Sequence, residues 1–276
     1  AFNQRRWNAA LTDADLFTPA KTSRAAAAKL IGAHADEIAL TPNTNIGINI
    51  AATAAFQFSD DRRVILISDR EFPANVYPWL ALARQDFSVE IIPTDTNGFP
   101  REEEMLARIE AGDVAAVSVS FVQYSNGYRA DLDTIGEACR RNGTLFVVDA
   151  IQGLGAVPLD VTKSSVDILA CGAQKWLLSP WGTGFTYVRR ALVQALTPPE
   201  AGWLAVKGSD DFSRLTDYDL AWRDDARRFE VGTLPYQDFV GAVASVELLL
   251  ALGPANVARH VAALADRVVR WASARP

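Results

Sequence analysis

Four short stretches of this 276-residue chain carry residue types that do chemistry when they converge. Asp149 closes the apolar run Leu145-Phe-Val-Val. A buried strand there would deliver it to the carboxyl end of a sheet, where open parallel sheets bind ligands. The same position suits an aspartate that merely caps the next turn. Lys175 follows the apolar run Asp167-Ile-Leu-Ala and the small-residue turn Cys171-Gly-Ala-Gln, with Trp176 and Leu177 directly after it. A lysine crowded by apolar neighbours loses hydration, which lowers its pKa and frees the neutral amine that forms imines. The other reading is a surface lysine whose stem lies on the protein and whose ammonium stays in water. Thr41-Pro-Asn-Thr44-Asn45-Ile-Gly47 places small polar residues at the start of a helix, after the strand-like Ile38–Leu40. Free N–H groups and the helix dipole attract a phosphate at such a place, and Thr44 and Asn45 add side-chain donors. An N-cap without a ligand is the simpler account. Phe72, in Glu71-Phe-Pro-Ala-Asn75, lies just past an apolar run. Its ring can lie flat on a heteroaromatic ligand or pack into the core.

The elements that must position these residues follow from alternating patterns. Strands are expected at Val64–Ser68, Val89–Pro93, Ala115–Ser120, Leu145–Asp149, Asp167–Ala170 and Gly184–Val188. Most are continuously apolar, as in strands covered on both faces. Helices are expected at Ser23–Ile31, Thr44–Phe56, Asn75–Gln85, Glu102–Glu110 and Asp133–Arg141, with Gly32, Gly112 and Gly143 as stops. This alternation predicts an α/β fold in three layers around a mostly parallel central sheet. Residues 197–228 read as a long irregular segment, of a kind that is often functional or lies at an interface. An apolar helix over Gln237–Ala251 and an amphipathic one over Asn256–Ala272 follow. A polar, Trp-bearing helix is expected at the start, and both ends read as cut from something longer.

Composition removes several function classes. The net charge is −6, the pI near 5.1 and the mean hydropathy +0.04, with no Lys/Arg run. A nucleic-acid partner and an acidic membrane surface are therefore not expected. The apolar run Ile46–Phe58 is too short to span a bilayer, and no signal peptide is evident. Cys139 and Cys171 form no disulfide framework and, with His34 and His260 scattered, no metal site. Both read as buried small hydrophobes, in keeping with a reducing cytoplasm. A dinucleotide-binding fold predicts Gly-x-Gly-x-x-Gly after an early strand. Gly153-Leu-Gly155 is followed by Pro158 and Gly182-Thr-Gly184 by Tyr187 at the third glycine position, so neither fits.

In order along the chain come the turn at Thr44, Asp149-x-x-Gln152, Lys175 in Gly172-Ala-Gln174-Lys175-Trp with Gly182-Thr-Gly-Phe-Thr-Tyr-Val188, and Arg228-Phe-Glu-Val-Gly232-Thr233. This set, from about Thr41 to Gly241, resembles the class V aminotransferase family of pyridoxal 5′-phosphate (PLP) enzymes within fold type I. That family includes cysteine desulfurases, selenocysteine lyases, isopenicillin N epimerase-like proteins and kynureninases. The resemblance implies a PLP-binding large domain over residues 1–235. A linking helix and the start of a truncated small C-terminal α+β domain would fill 236–276. It implies that Lys175 carries PLP as a Schiff base and that Asp149 pairs with the pyridine nitrogen. Gln152 would bond the phenolic oxygen and Phe72 would stack on the ring. Thr44 and Asn45 would hold the phosphate, with Gln174 beside them, and Gln123 would line the other edge of the cofactor. Thr233 would reach the phosphate of a neighbouring subunit in a homodimer.

The implied function is a PLP-dependent enzyme acting on an amino acid, most simply a transferase of the aminotransferase kind. Cysteine desulfurase or C–S (or C–Se) lyase chemistry is the alternative, and a non-catalytic scaffold with the same fold is the alternative of another class. Many relatives carry His where this chain has Gln174, and often Ser where it has Gly172. Arg223, Arg227 and Arg228 lie near the Thr233 motif, but no spacing makes any of them a clamp for a substrate carboxylate.

Overall fold

The structure is a computed structural model that describes Gln4 and residues 12–275; the helix expected at the very start falls outside the described residues. Its centre is a seven-stranded sheet. The strands are β1 (Ile38–Leu40), β2 (Val64–Ser68), β3 (Ser88–Ile92), β4 (Val114–Ser120), β5 (Leu145–Asp149), β6 (Ile168–Gly172) and β7 (Gly184–Val188). Their order is β1-β7-β6-β5-β4-β2-β3. Strands β2 to β6 run parallel, whereas β7 is antiparallel to both β6 and β1. Every residue of β4, β5, β6 and β7 is buried. Burial on both faces explains why these runs show no period-two alternation.

Helices cover both faces and complete three layers, as expected from the sequence. On one side lie α1 (Asp13–Ile31), α4 (Glu102–Ile109), α5 (Leu132–Asn142) and α7 (Tyr236–Leu252), packed through Ile31, Met105, Ile135 and Phe239. On the other lie α2 (Thr44–Phe58), α3 (Tyr77–Ala81) and α6 (Arg190–Ala195), packed through Ile48, Trp79 and Val193. Helix α1 begins earlier than Ser23, because Thr12 and Asp15 close a capping box ahead of Pro19. The continuous helix expected over Asn75–Gln85 is instead α3 flanked by two 3₁₀ turns, Pro73–Asn75 and Leu82–Gln85. Pro73 and Pro78 each remove a backbone donor and favour a new start. Helix α6 has no counterpart among the expected elements.

Residues 197–228 hold only 3₁₀ turns and one bridge, Val206 to Trp222. Arg223 pins this segment, since its buried guanidinium donates to Leu204 O, Ser209 Oγ and Asp210. Helix α8 (Pro254–Ser273) follows Gly253 and has no buried residue. Among the described residues no single helix is long and apolar enough to cross a membrane.

Candidate active site

The carboxyl ends of β4, β5 and β6 lie side by side. Register pairs Ser120 with Asp149 and Asp149 with Ala170. Asp149 is 2% exposed, and one carboxylate oxygen accepts the N–H of Ile151 at 3.0 Å. It does cap the turn, therefore, but it does so inside the protein. Burial pushes its carboxyl up to about 7; the negative charge of Glu71 adds to the rise and the ammonium of Lys175 opposes it. These opposed influences place both charged groups within electrostatic reach of Asp149.

Lys175 is carried on a tight turn after β6. Ala173 N donates to Thr183 O at 2.8 Å, Leu178 N to Lys175 O at 3.0 Å and Ser179 N to Ala173 O at 3.0 Å. Leu178 closes the turn at φ 56, a left-handed conformation that is uncommon for a bulky residue, while Leu177 anchors it in the core. The loop after β5 presses on this turn through Gly155. A Cβ there would lie 2.2 Å from Trp176 O, and φ is +100. Lys175 is half-buried, between the desolvated lysine and the surface lysine that the sequence left open. Trp176, which was expected to help cover it, is 41% exposed. The Lys175 Nζ stands 5.5 Å from the centroid of the Phe72 ring. Phe72 is 43% exposed and meets Tyr124 edge-on at 5.4 Å, so it is no core residue.

The N-terminus of α2 meets the end of β6. Asn43, not Thr44 or Asn45, caps it by accepting from Ile46 N at 3.2 Å. Thr44 is buried, and its hydroxyl accepts the N–H of Gly172 at 3.0 Å, which leaves its own proton to donate. Asn45 is exposed. Gly47 permits the close approach: a Cβ there would lie 2.5 Å from both Ala170 Cβ and Thr186 Oγ1. Gln174 folds back over Gly172, where a Cβ would come within 2.6 Å of Gln174 Oε1. That oxygen is buried without a partner, as is Gln123 Oε1. Gln152 is half-buried in the turn after Asp149. Thr233 is exposed on the segment leading to α7, and no hydrogen bond among the described residues joins it to this cluster.

Sequence reasoning missed one buried group. Glu71 and Asn75 form a polar network with Ser118, Ser120, Gln123 and Trp79 behind the strand ends. The available signal was the cluster of polar residues directly past β2, Glu71 and Asn75, whose side chains join only because the 3₁₀ turn Pro73–Asn75 folds one back on the other. The three arginines near Thr233 are committed elsewhere. Arg223 and Arg227 pair with Asp210 and Asp225, and Arg228 donates to Val193 O.

A lysine turn and an aspartate meeting at the carboxyl ends of a mostly parallel sheet, beside a helix N-terminus, define a cofactor-type site in an α/β enzyme fold. The model of the aminotransferase class-V family matches residues 10–274, and the chain belongs to that family. It is 32% identical to an uncharacterised aminotransferase of Bacillus subtilis, over 89% of this chain and 63% of that protein. It is 31% identical to a probable cysteine desulfurase of Aeropyrum pernix, over 84% of this chain and 56% of that one. The apo cysteine desulfurase of Thermococcus onnurineus superposes with a TM-score of 0.80 at 25% identity, over 92% of this chain and 62% of that one. The chain thus spans about three fifths of the length of the relatives it matches.

The residues present fit PLP, the cofactor of this family. The buried carboxylate of Asp149 is of the kind that can counter the charge of a protonated ring nitrogen. A lysine amine and an exposed aromatic face lie beside it, and two orphaned amide oxygens await donors. The free N–H groups of the first α2 turn suit a phosphate.

Proposed function

We propose that the protein is a PLP-dependent enzyme that acts on an amino acid, with Lys175 as both attachment point and proton carrier. The observation that carries this reading is the convergence of Asp149, Lys175 and the Phe72 ring at the ends of β5 and β6 and the loop after β2. PLP, when bound, supplies a reactive carbonyl carbon and a ring that accepts negative charge from the substrate α-carbon. Asp149 keeps the ring nitrogen protonated, because a carboxylate beside a cation favours the charged pair. Phe72 holds the ring face, and Gln152 and Gln123 bond its edges. Thr44, Asn45, Gln174 and the α2 N-terminus hold the phosphate. The Lys175 amine would take the proton from the substrate α-carbon.

Transamination is the first reading of the reaction. It would need a base that both takes up and gives back a proton, and Lys175, half-buried rather than sealed from solvent, would serve as that base. Cysteine desulfurase or C–S lyase chemistry is the second, favoured by the names of the relatives. Against a desulfurase that uses this chain's own thiols, Cys139 and Cys171 are buried at 1% and 0% exposure, and burial raises both thiols. Neither presents the thiolate that takes up sulfur. We further propose a homodimer in which the exposed Thr233 serves the neighbouring site. Residues 1–235 would carry the cofactor-binding unit, with α7 packed on α1 as its linking helix. Two free cysteines suit the cytoplasm.

The test is a panel of amino acids offered to the full-length protein with PLP, scored for pyridoxamine phosphate, pyruvate and sulfide. Pyridoxamine phosphate means transamination, and sulfide means the second reading. No product from any amino acid would leave a scaffold as the better account.

A further inference from the structure

Behind Asp149 lies a second buried acid that the roles above leave unused. Glu71 is 6% exposed. Its carboxylate accepts from Ser120 N at 2.9 Å, Gln123 Nε2 at 2.8 Å and Asn75 Nδ2 at 3.1 Å, and from the Ser120 hydroxyl. All four donors are neutral, so the network solvates a negative charge without cancelling it. Ser120 is the register partner of Asp149 across β4 and β5, so two carboxylates serve one strand pair. Glu71 repels the ionised form of Asp149. An ionised carboxylate only accepts, so Gln123 must give it the N–H side of its amide and cannot turn over. The carbonyl oxygen of Gln123 is left buried and bare, a costly state that a ligand N–H or O–H would relieve.

We infer that Glu71 is a positioning residue of the site: it locks the Gln123 amide with its carbonyl oxygen free, and with Asp149 forms a two-carboxylate floor that selects a ligand bearing a cationic ring N–H. This rests on the PLP reading and deepens it. The other titratable groups around the pair are Lys175, which favours ionised Asp149, and the buried thiol of Cys171. Burial raises Glu71 above the usual carboxylate range while its Ser120, Asn75 and Gln123 donors oppose the rise. With the Asp149 carboxyl at about 7, an arriving cation meets a pair that still holds a proton on the acid side of neutrality. The advantage that Glu71 gives to a cationic ligand grows as pH rises and vanishes once Glu71 is protonated.

The experiment titrates the full-length protein with PLP, following cofactor absorbance, from mildly acidic to mildly alkaline pH. Wild type, Glu71→Gln and Glu71→Asp, which keeps a carboxylate in the network and leaves Gln123 in place, are compared. Glu71→Gln is expected to bind PLP on the order of tenfold more weakly at alkaline pH, the worth of one pKa unit. The gap should narrow as pH falls, and Glu71→Asp should keep most of the wild-type affinity. Should Glu71→Gln not fold, Gln123→Leu, which removes the free carbonyl oxygen and leaves the Glu71 charge, carries the comparison: weaker PLP binding is expected, and unchanged binding overturns the inference. Equal binding by Glu71→Gln at alkaline pH overturns the inference alone, as does a gap that ignores pH and is shared by Glu71→Asp. A wild type that takes up no PLP overturns the functional reading and this inference with it.

Discussion

Asp149 shows how one residue serves opposite demands. Its burial is costly in the folded chain, and its carboxyl rises from 3.8 to about 7. Between those values the folded state holds a proton that the unfolded state has released, so stability falls as pH rises. Asp149→Asn removes that penalty. It should stabilise the PLP-free protein at pH values above neutral by up to about 4 kcal/mol, with the gap shrinking as pH falls toward the ordinary aspartate range. Urea denaturation of both proteins across pH checks this; a pH-independent difference would contradict it. The same substitution should abolish most PLP-dependent activity, since an amide cannot hold the ring nitrogen protonated. The position of Asp149 was legible because a strand-closing aspartate needs only local pattern. Glu71 was not, because its meaning depends on Ser120, a residue of β4 that the sheet places beside it. The exposure of Lys175 stayed open in the sequence for a related reason: Trp176 follows it in sequence but faces solvent rather than covering the amine.

At the scale of elements, the site is held by close contacts that only glycine permits. Gly47 lets α2 bring its N-terminus against β6, and a Cβ there would overlap Ala170 and Thr186. Gly47→Ala should cost about 1–3 kcal/mol of stability, as overpacking does. It should also weaken PLP binding more than that loss alone explains, because α2 must back away from the phosphate position. Thermal melts with and without PLP separate the two effects. Asn43→Ala removes the cap and should cost about 1 kcal/mol. Strand positions were read closely because continuous apolar runs mark buried strands, and β2, β5 and β7 coincide with the expected spans. The Asn75–Gln85 region was not, because Pro73 and Pro78 break a pattern that is helical in its apolar spacing alone.

For the whole molecule, the proposed homodimer would hold two sites, each completed by Thr233 of the other chain. Thr233→Ala and Lys175→Ala should each be inactive or nearly so. Dimers re-formed from an equal mixture should regain roughly a quarter of wild-type activity, because half of them carry one intact site. No recovery on mixing would place Thr233 outside the neighbouring site. The layered architecture could be read from the alternation of strands and helices, whereas the pairing of chains leaves no periodic trace in a sequence. The central claim is that Lys175 holds the cofactor, and borohydride reduction of the PLP-loaded protein followed by tryptic mass mapping tests it most directly. Trypsin does not cut after a modified lysine, so the account predicts the cofactor's mass on a single peptide running from Ser164 through Lys175 to Arg189. An unmodified peptide ending at Lys175, with the label on another lysine or on none, would contradict it.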